Sequence, residues 1–308
     1  MKKLLLVSIL LPLAFGTAHA QTSLIHHTVV KTRNNPPAMG RDFWIAMPSN
    51  QWGEDLGGKY MRIYITSPNN TTAFVESNGA ETPVPVQAYR VSSFKIPEFW
   101  ENESSGIVEN KAIHVYSKTA DLSVYFMSHQ AYSSDGSYAI PTIGWGTDYV
   151  VAAYGSFFEG GKAQYDLPSE CVVIANQDQT QLTITPSCDC RFCSGGNQDG
   201  DSCSNVVGFP AGLPQTFTLN RGQCIQLMPV KASDPDNFDM TGTIIHSDQP
   251  VGVIGASVQP NIPASFAYSD FVCEMIPPVR TWGKTYYATN PIQPPGRMIA
   301  GRSKVHKR

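Results

Sequence analysis

Charge is scarce in this chain of 308 residues: only 15% of the residues are charged, and the formal net charge is −3. Nucleic acids and anionic membranes attract proteins through a strong positive field, so this balance gives no electrostatic case for either partner. After residue 20 the chain also lacks a run of about twenty apolar residues, the length that spans a bilayer as a helix. We therefore expect no nucleic-acid partner and no membrane span.

Sustained helical periodicity is also missing after the first twenty residues. Instead, 23 prolines and 25 glycines separate short β-branched and aromatic runs about every ten residues, which is typical of strands joined by turns. The composition therefore predicts an all-β chain. The clearest predicted strands are residues 61–66, 72–76, 90–95, 112–117, 122–128, 170–175, 181–185, 215–219, 223–228, 242–246 and 251–256.

Common catalytic motifs are absent as well. The sequence contains no Gly-x-Ser-x-Gly elbow, no Walker phosphate loop and no His-Glu-x-x-His pair, so we expect no cofactor, no metal and no enzymatic activity. Cys273 with His246 as its base is the remaining catalytic candidate. His246 has a counterpart, His114, in a half of the chain without cysteine, which favours a structural role for both histidines.

The N-terminus has the three parts of a secretory signal peptide. Lys2 and Lys3 precede an apolar run at residues 4–15, and Ala18 and Ala20 supply the small residues that signal peptidase requires. We predict a signal peptide at residues 1–20 and an N-terminal lead at 21–38. The mature protein is therefore expected to be secreted or at the cell surface.

The rest of the chain contains an internal repeat. Residues 140–152 (IPTIGWGTDYVVA) match residues 276–288 (IPPVRTWGKTYYA), and upstream strands correspond at a similar offset of 136 to 137 residues. Strands at this spacing without covering helices predict two tandem related β-sandwich units, at 39–152 and 153–288. Residues 289–308 are either a basic C-terminal tail or the start of a third, truncated unit.

All seven cysteines lie in the second predicted unit. Export favours disulfides, so the insert at 188–203 is read as a disulfide-stapled loop, with zinc bound by four thiolates as the alternative. Cys171 and Cys224 are near strand starts and are expected to pair. Cys273 would then be unpaired and available for an intermolecular disulfide. The four cysteines of the insert are Cys188, Cys190, Cys193 and Cys203.

Aromatic residues in or beside loops are the predicted ligand-binding residues, because flat rings stack on sugars or anchor protein partners. The alternative is that they cap the two hydrophobic cores. The residues are Trp52, Trp100, Tyr132, Tyr138, Phe157 and Phe158.

Four motifs in order resemble the IgG Fc-binding protein N-terminal domain family, which bacterial secreted proteins also carry. They are GRDFWIAMP at 40–48, NQDQTQLTITP at 176–186, LNRGQ at 219–223 and DMTGTIIHSDQPV at 239–251. The resemblance covers residues 39 to 287 and implies an extracellular adhesion-like module without assigned enzymatic activity. One departure is at 269–278, where the family commonly has a histidine and this chain has none, which puts in doubt any function of that histidine.

We therefore expect a secreted, non-catalytic binding module that recognises an extracellular protein or glycan. Two other interpretations stay open at this point. The chain would be a structural stalk or assembly segment of a surface protein, or an exported hydrolase. A pocket that joins Cys273, His246 and a carboxylate would favour the hydrolase.

Overall fold

The computed structural model describes residues 38–50, 60–130, 133–155, 167–194, 206–230, 238–262 and 269–287. Within these ranges the regular structure is antiparallel β-strand plus three short 3-10 turns, which confirms the all-β prediction. In chain order the strands are β1 (Asp42–Ile45), β2 (Tyr60–Thr66), β3 (Thr71–Ser77), β4 (Ala80–Val86), β5 (Ser92–Ile96), β6 (Val108–Glu109), β7 (Ile113–Ser117), β8 (Ser123–Gln130), β9 (Ser133–Tyr138), β10 (Gly146–Val150), β11 (Ser169–Ala175), β12 (Thr180–Thr185), β13 (Cys190–Arg191), β14 (Val207–Phe209), β15 (Gln215–Leu219), β16 (Cys224–Leu227), β17 (Ile244–Ser257) and β18 (Val272–Met275).

Strands β1–β9, which we call repeat 1, contain two four-stranded sheets. Their strand orders are β1-β7-β3-β4 and β5-β2-β8-β9. In β2, alternate residues Met61, Ile63 and Ile65 are buried in one core cluster with Phe43 and Val115 of the other sheet. Since side chains alternate across a strand, this pattern buries one face of each sheet and forms a sandwich.

Strands β10–β18, which we call repeat 2, reproduce the pairing of repeat 1. In repeat 1, β7 pairs with β1 and β3, while β8 pairs with β2 and β9. In repeat 2 the single 14-residue strand β17 corresponds to both β7 and β8. Its first half pairs with β10 and β12, and its second half pairs with β11 and β18. The outer pairs β4 with β3 and β5 with β2 correspond to β15 with β12 and β16 with β11. The two halves of the chain therefore share a scheme of strand pairing, and their division into two units stays a prediction.

Each repeat starts at a glycine that packs on a proline from the end of the same repeat. A Cβ on Gly40 would lie 2.6 Å from Cβ of Pro141, and a Cβ on Gly146 would lie 2.6 Å from Cβ of Pro278. The Gly146 N–H also donates a hydrogen bond of 2.9 Å to Tyr149 Oη. The Gly283 N–H donates in the same way to Tyr286, at 2.7 Å, so the opening turn occurs a third time.

Strand pairing and hydrogen bonds connect the two repeats. Strand β6 of repeat 1 pairs with β16 of repeat 2. Beside it, β9 lies along β18, and its side chains accept hydrogen bonds from the β18 backbone: Asp135 Oδ2 from the Cys273 N–H and Ser137 Oγ from the Met275 N–H, both at 2.9 Å. The predicted unit boundaries at residues 152 and 288 stay predictions. The signal peptide and the C-terminal tail also stay predictions, because residues 1–37 and 288–308 lie outside the described ranges.

Candidate functional site

Three tyrosines form a row across the outer face of the β5-β2-β8-β9 sheet. Tyr64 of β2 pairs in register with Tyr125 of β8, which pairs with Tyr138 of β9. Because their neighbours on each strand are turned into the core, strand alternation places all three rings on the same outer side. We call the outward residues of these strands the tyrosine face.

A shallow groove of about 450 Å³ runs beside this row. Tyr64, Tyr125, Met127 and the exposed Val91 line it, together with Phe126, whose side chain is buried in the core below. Gly136 of β9 keeps the groove open at one side. A Cβ there would lie 2.5 Å from the Phe126 carbonyl oxygen and 3.1 Å from Met127 Cα, so glycine permits β9 and β8 to approach closely.

Two polar side chains, Tyr138 and Arg62, lie on the tyrosine face outside the lining of the groove. Tyr125 and Tyr138 meet edge to face, with ring centroids 5.4 Å apart, and burial raises the pKa of Tyr138 to about 12. Its phenol is therefore a neutral hydrogen-bond donor at physiological pH. Arg62 lies over the Tyr60 ring at 5.5 Å and donates to Ser93 Oγ at 3.3 Å, which holds a cationic group beside the groove. Aromatic, cationic and apolar groups in one place suit the binding of a partner surface.

Of the six predicted aromatic residues, the described ranges contain Trp100 and Tyr138. Tyr138 lies on the tyrosine face, but Trp100 is 5% exposed and belongs to the core of repeat 1, so its ring faces are not available to a ligand and that expectation is corrected. Sequence reasoning missed Tyr64 and Tyr125, although their alternation with core residues in two predicted strands was a usable signal. The other four predicted residues, Trp52, Tyr132, Phe157 and Phe158, lie outside the described ranges.

A second, polar cavity of about 210 Å³ lies where repeat 2 meets repeat 1. Trp44 and Glu76 of repeat 1 and Arg221 of repeat 2 line it. Arg221 lies 5.0 Å above the Trp44 ring, and its guanidinium is 3.6 Å from the Glu76 carboxylate. The Arg221 cation and the Glu76 carboxylate already pair with each other, so the contacts of Arg221 join the two repeats.

The buried His114 lies behind this cavity and connects two carboxylates. Its ring stacks on Trp44 with centroids 4.4 Å apart, Nε2 is 2.8 Å from Asp42 Oδ2, and Nδ1 is 3.0 Å from Glu76 Oε2. Burial alone would raise the pKa of Asp42, but the hydrogen bond and charge of His114 outweigh it, and the pKa is lowered. His114 therefore has structural partners on both nitrogens, as its predicted structural role requires.

The structure does not bring the catalytic candidates together. Cys273 pairs with Ala256 at one end of β17, while His246 is ten residues away along the same strand, a separation of about 33 Å. Burial raises the pKa of Cys273 well above its usual value, which disfavours the nucleophilic thiolate. In the described ranges no three His, Cys, Asp or Glu side chains are arranged to hold a metal ion.

The expected disulfide between Cys171 and Cys224 is wrong. Both thiols are free, because β11 and β16 place them on opposite faces of one sheet, Cys171 in the core of repeat 2 and Cys224 in that of repeat 1. Cys273 is also free but buried, so an intermolecular bond would require the fold to open.

The insert at residues 188–203 agrees only in part with the prediction of a disulfide-stapled loop. Cys188 and Cys190 are free, which contradicts the expectation that both are stapled. Cys193 is disulfide-bonded, and Cys203 lies outside the described ranges.

Comparison with protein families matches residues 135–305, more than half of the chain, to the family described as IgGFc binding protein. The matched residues begin in β9 and include repeat 2, so they contain Tyr138 but start after Tyr64 and Tyr125. No curated protein and no solved structure matches the chain. In the described part of the chain, no helix has the length and apolar character needed to cross a membrane.

Proposed function

The chain belongs to the IgGFc-binding protein family, and we propose that it is an extracellular, non-catalytic binding module that docks a protein partner on its tyrosine face. The row of Tyr64, Tyr125 and Tyr138 beside a 450 Å³ groove is the observation that carries this proposal. Tyrosine and arginine are enriched among the residues that dominate binding energy at protein interfaces, because large rigid rings bury area at little entropic cost.

The groove favours a protein over a glycan. A sugar ring lies flat on an open aromatic face, whereas Tyr125 and Tyr138 meet at 64° and present edges and hydroxyls. Met127, which is half-buried beside the tyrosine row, fits an apolar side chain of a partner, since methionine adapts to irregular shapes. Arg62 and Lys95 add positive charge at the same face, which complements an acidic rim on the partner.

The test is a binding measurement on the full chain. The first probe is the immobilised Fc fragment of IgG, followed by arrays of serum proteins and glycans. Tyr125→Ala removes a ring that is 49% exposed and is expected to weaken the binding of a captured protein at least about tenfold, or about 1.4 kcal/mol. Tyr287→Ala, which removes an exposed tyrosine far along the chain, is the matched control and should leave the affinity unchanged.

Three results would count against the proposal. Equal affinity of the Tyr125→Ala variant and the wild-type chain would show that the tyrosine face is not the binding surface. Capture of glycans alone would assign the face to the other ligand class. A chain that binds neither class would support the stalk or assembly segment.

A further inference from the structure

Three sulfur atoms meet at one end of the repeat 2 sandwich. Cys188 Sγ is 3.7 Å and Cys190 Sγ is 3.5 Å from Met240 Sδ. The two thiols are close enough to hydrogen-bond to each other, and this contact is the main cause that raises the pKa of Cys190. Cys188 lies in the turn at residues 187–189 after β12, Cys190 begins β13, and Met240 lies in the turn at residues 239–241 before β17.

Hydrogen bonds hold the two turns in a fixed relation. Ser187 Oγ donates to the Asp239 carbonyl oxygen at 2.8 Å, and the Ser187 N–H donates to Thr243 Oγ1 at 3.1 Å. The positions of Cys188 and Met240 therefore do not depend on the sulfur contacts alone. Such preorganisation is what a metal site needs in order to bind without an entropic cost for ordering its ligands.

The sulfur cluster is buried but lies just below the surface. Cys188, Cys190 and Met240 are buried, whereas the adjoining Ser187, Thr241 and Gly242 are exposed. An ion would reach the cluster by a small movement of one turn, without disturbing the sheet. The apolar surroundings would exclude water from the bound ion.

We propose that Cys188, Cys190 and Met240 bind one Cu(I) ion in a three-coordinate sulfur site. Thiolate and thioether are soft ligands that select Cu(I) over the harder divalent ions. An ion about 2.3 Å from three sulfurs lies in a triangle with edges of about 4 Å, so the observed contacts of 3.5 and 3.7 Å need to open by only a few tenths of an ångström. Binding displaces both thiol protons and leaves a thiolate pair on the ion.

Zinc fits this cluster poorly. Structural zinc takes four nitrogen, oxygen or thiolate ligands, whereas thioether sulfur is not among its usual donors. The sequence alternative of zinc on four thiolates of the insert also loses Cys193, which is disulfide-bonded. The copper site therefore departs from the expectation that the chain holds no metal.

The test is an anaerobic Cu(I) titration of the whole chain against a chromophoric Cu(I) chelator, with X-ray absorption of the copper as a second readout. The wild-type chain should retain one ion with an all-sulfur shell at about 2.3 Å. Cys190→Ala and Met240→Leu should each weaken retention by more than about tenfold, since each removes one of the three ligands. Cys224→Ala, which removes an equally buried thiol in the other hydrophobic core, is the matched control and should retain the ion.

Thermal unfolding of each copper-free variant identifies any that fails to fold, and Cys188→Ala then replaces it. The proposal would be overturned if the chelator removed copper from the wild-type chain, if the Cys188→Ala/Cys190→Ala variant retained it, or if nitrogen or oxygen filled the copper shell. It would also be overturned if mass spectrometry of the chain purified without reductant showed Cys188 and Cys190 oxidised.

Discussion

Two histidines in related strands have very different surroundings. His114 of β7 is buried between the rings of Trp44 and Tyr116, at 4.4 and 4.6 Å, and has a carboxylate on each nitrogen. His246 of β17 is exposed and has one described partner, Asp148, at 2.7 Å. The difference follows from Trp44, whose indole covers one side of His114, whereas β10 has no aromatic residue opposite His246.

Asp42→Asn should destabilise the chain at neutral pH by about 1 kcal/mol, because a charged partner of His114 is lost at a half-exposed site. The pKa of Asp42 is lowered below 3.8 in the fold, so its contribution is present above that pH and is lost as the pH falls through the lowered pKa. The difference in unfolding free energy between wild type and variant should therefore shrink in acid. Denaturant unfolding between pH 7 and pH 2 measures it.

The control for this experiment is Asp121→Asn, which removes the partner of Arg41 in an exposed pair and should change little. A difference for Asp42→Asn that stayed constant down to pH 2 would contradict the role given to its charge.

Glu274 has the opposite pH behaviour. Burial and the nearby Asp135 raise the pKa of Glu274 above 4.5, so its contribution to stability is complete below pH 4.5 and is lost as the pH rises through the raised pKa. Glu274→Gln removes this penalty and should raise the melting temperature at pH 7, with little effect near pH 4. Because one side of Glu274 faces water, the gain should stay below about 1 kcal/mol. Calorimetry at the two pH values checks the sign, and a loss of stability at pH 7 would contradict it.

At the scale of the elements, the glycine–proline contacts close each repeat on itself. Gly40→Ala would place a methyl group 2.6 Å from Pro141 Cβ, and since the proline ring cannot rotate away, we expect destabilisation of about 1–3 kcal/mol. Gly146→Ala should behave alike against Pro278. Gly283→Ala is the matched control, because the nearest atom to its Cβ is 3.5 Å away. Thermal unfolding of the three variants measures the contrast, and equal melting temperatures would contradict it.

Most long strands could be predicted from sequence, and the missed ones have physical reasons. The alternation in β2 and β8 and the match of β15 at 215–219 follow directly from period-two patterning. Strand β4 was not predicted because Pro83 and Pro85 disfavour a strand. It lies at the edge of its sheet, where prolines are tolerated. The two predicted strands at 242–246 and 251–256 are one strand, since Pro250 does not interrupt β17.

The site was harder to predict than the strands. Tyr138 was found because it is near a loop, but the row it completes depends on the register between β2, β8 and β9, which one sequence does not specify. The sulfur cluster depends on two turns that are fifty residues apart in the chain and meet only in the fold. A single residue of a site can thus be predicted from sequence, whereas the grouping of residues from different strands and turns can be predicted only from the topology.

At the scale of the whole molecule, the two repeats share structure. Strand β6 of repeat 1 extends the sheet of repeat 2, and side chains of β9 accept hydrogen bonds from the backbone of β18. The cation of Arg221 in repeat 2 also lies over Trp44 in repeat 1. Separation of the repeats would therefore leave backbone groups without their partners and would break the contact of Arg221 with Trp44, each of which has a cost.

We therefore expect the repeats to unfold together in one transition. Differential scanning calorimetry should give a calorimetric enthalpy equal to the van't Hoff enthalpy, the criterion for two-state unfolding. Asp135→Ala, which removes the acceptor of the Cys273 N–H, should lower the melting temperature and speed hydrogen exchange at that amide. Two resolved transitions in the wild-type chain would contradict the prediction that the two repeats unfold together.

Strand β17 also has a mechanical consequence. Its 14 residues are hydrogen-bonded to β10, β11, β12 and β18, so it holds these strands in one sheet, whereas in repeat 1 the two strands β7 and β8 lie in separate sheets. A force along β17 loads these hydrogen bonds in shear, so that many of them must break at once. A force perpendicular to the strand would break them one after another. A module stretched along this strand should therefore resist force in repeat 2 after repeat 1 has yielded.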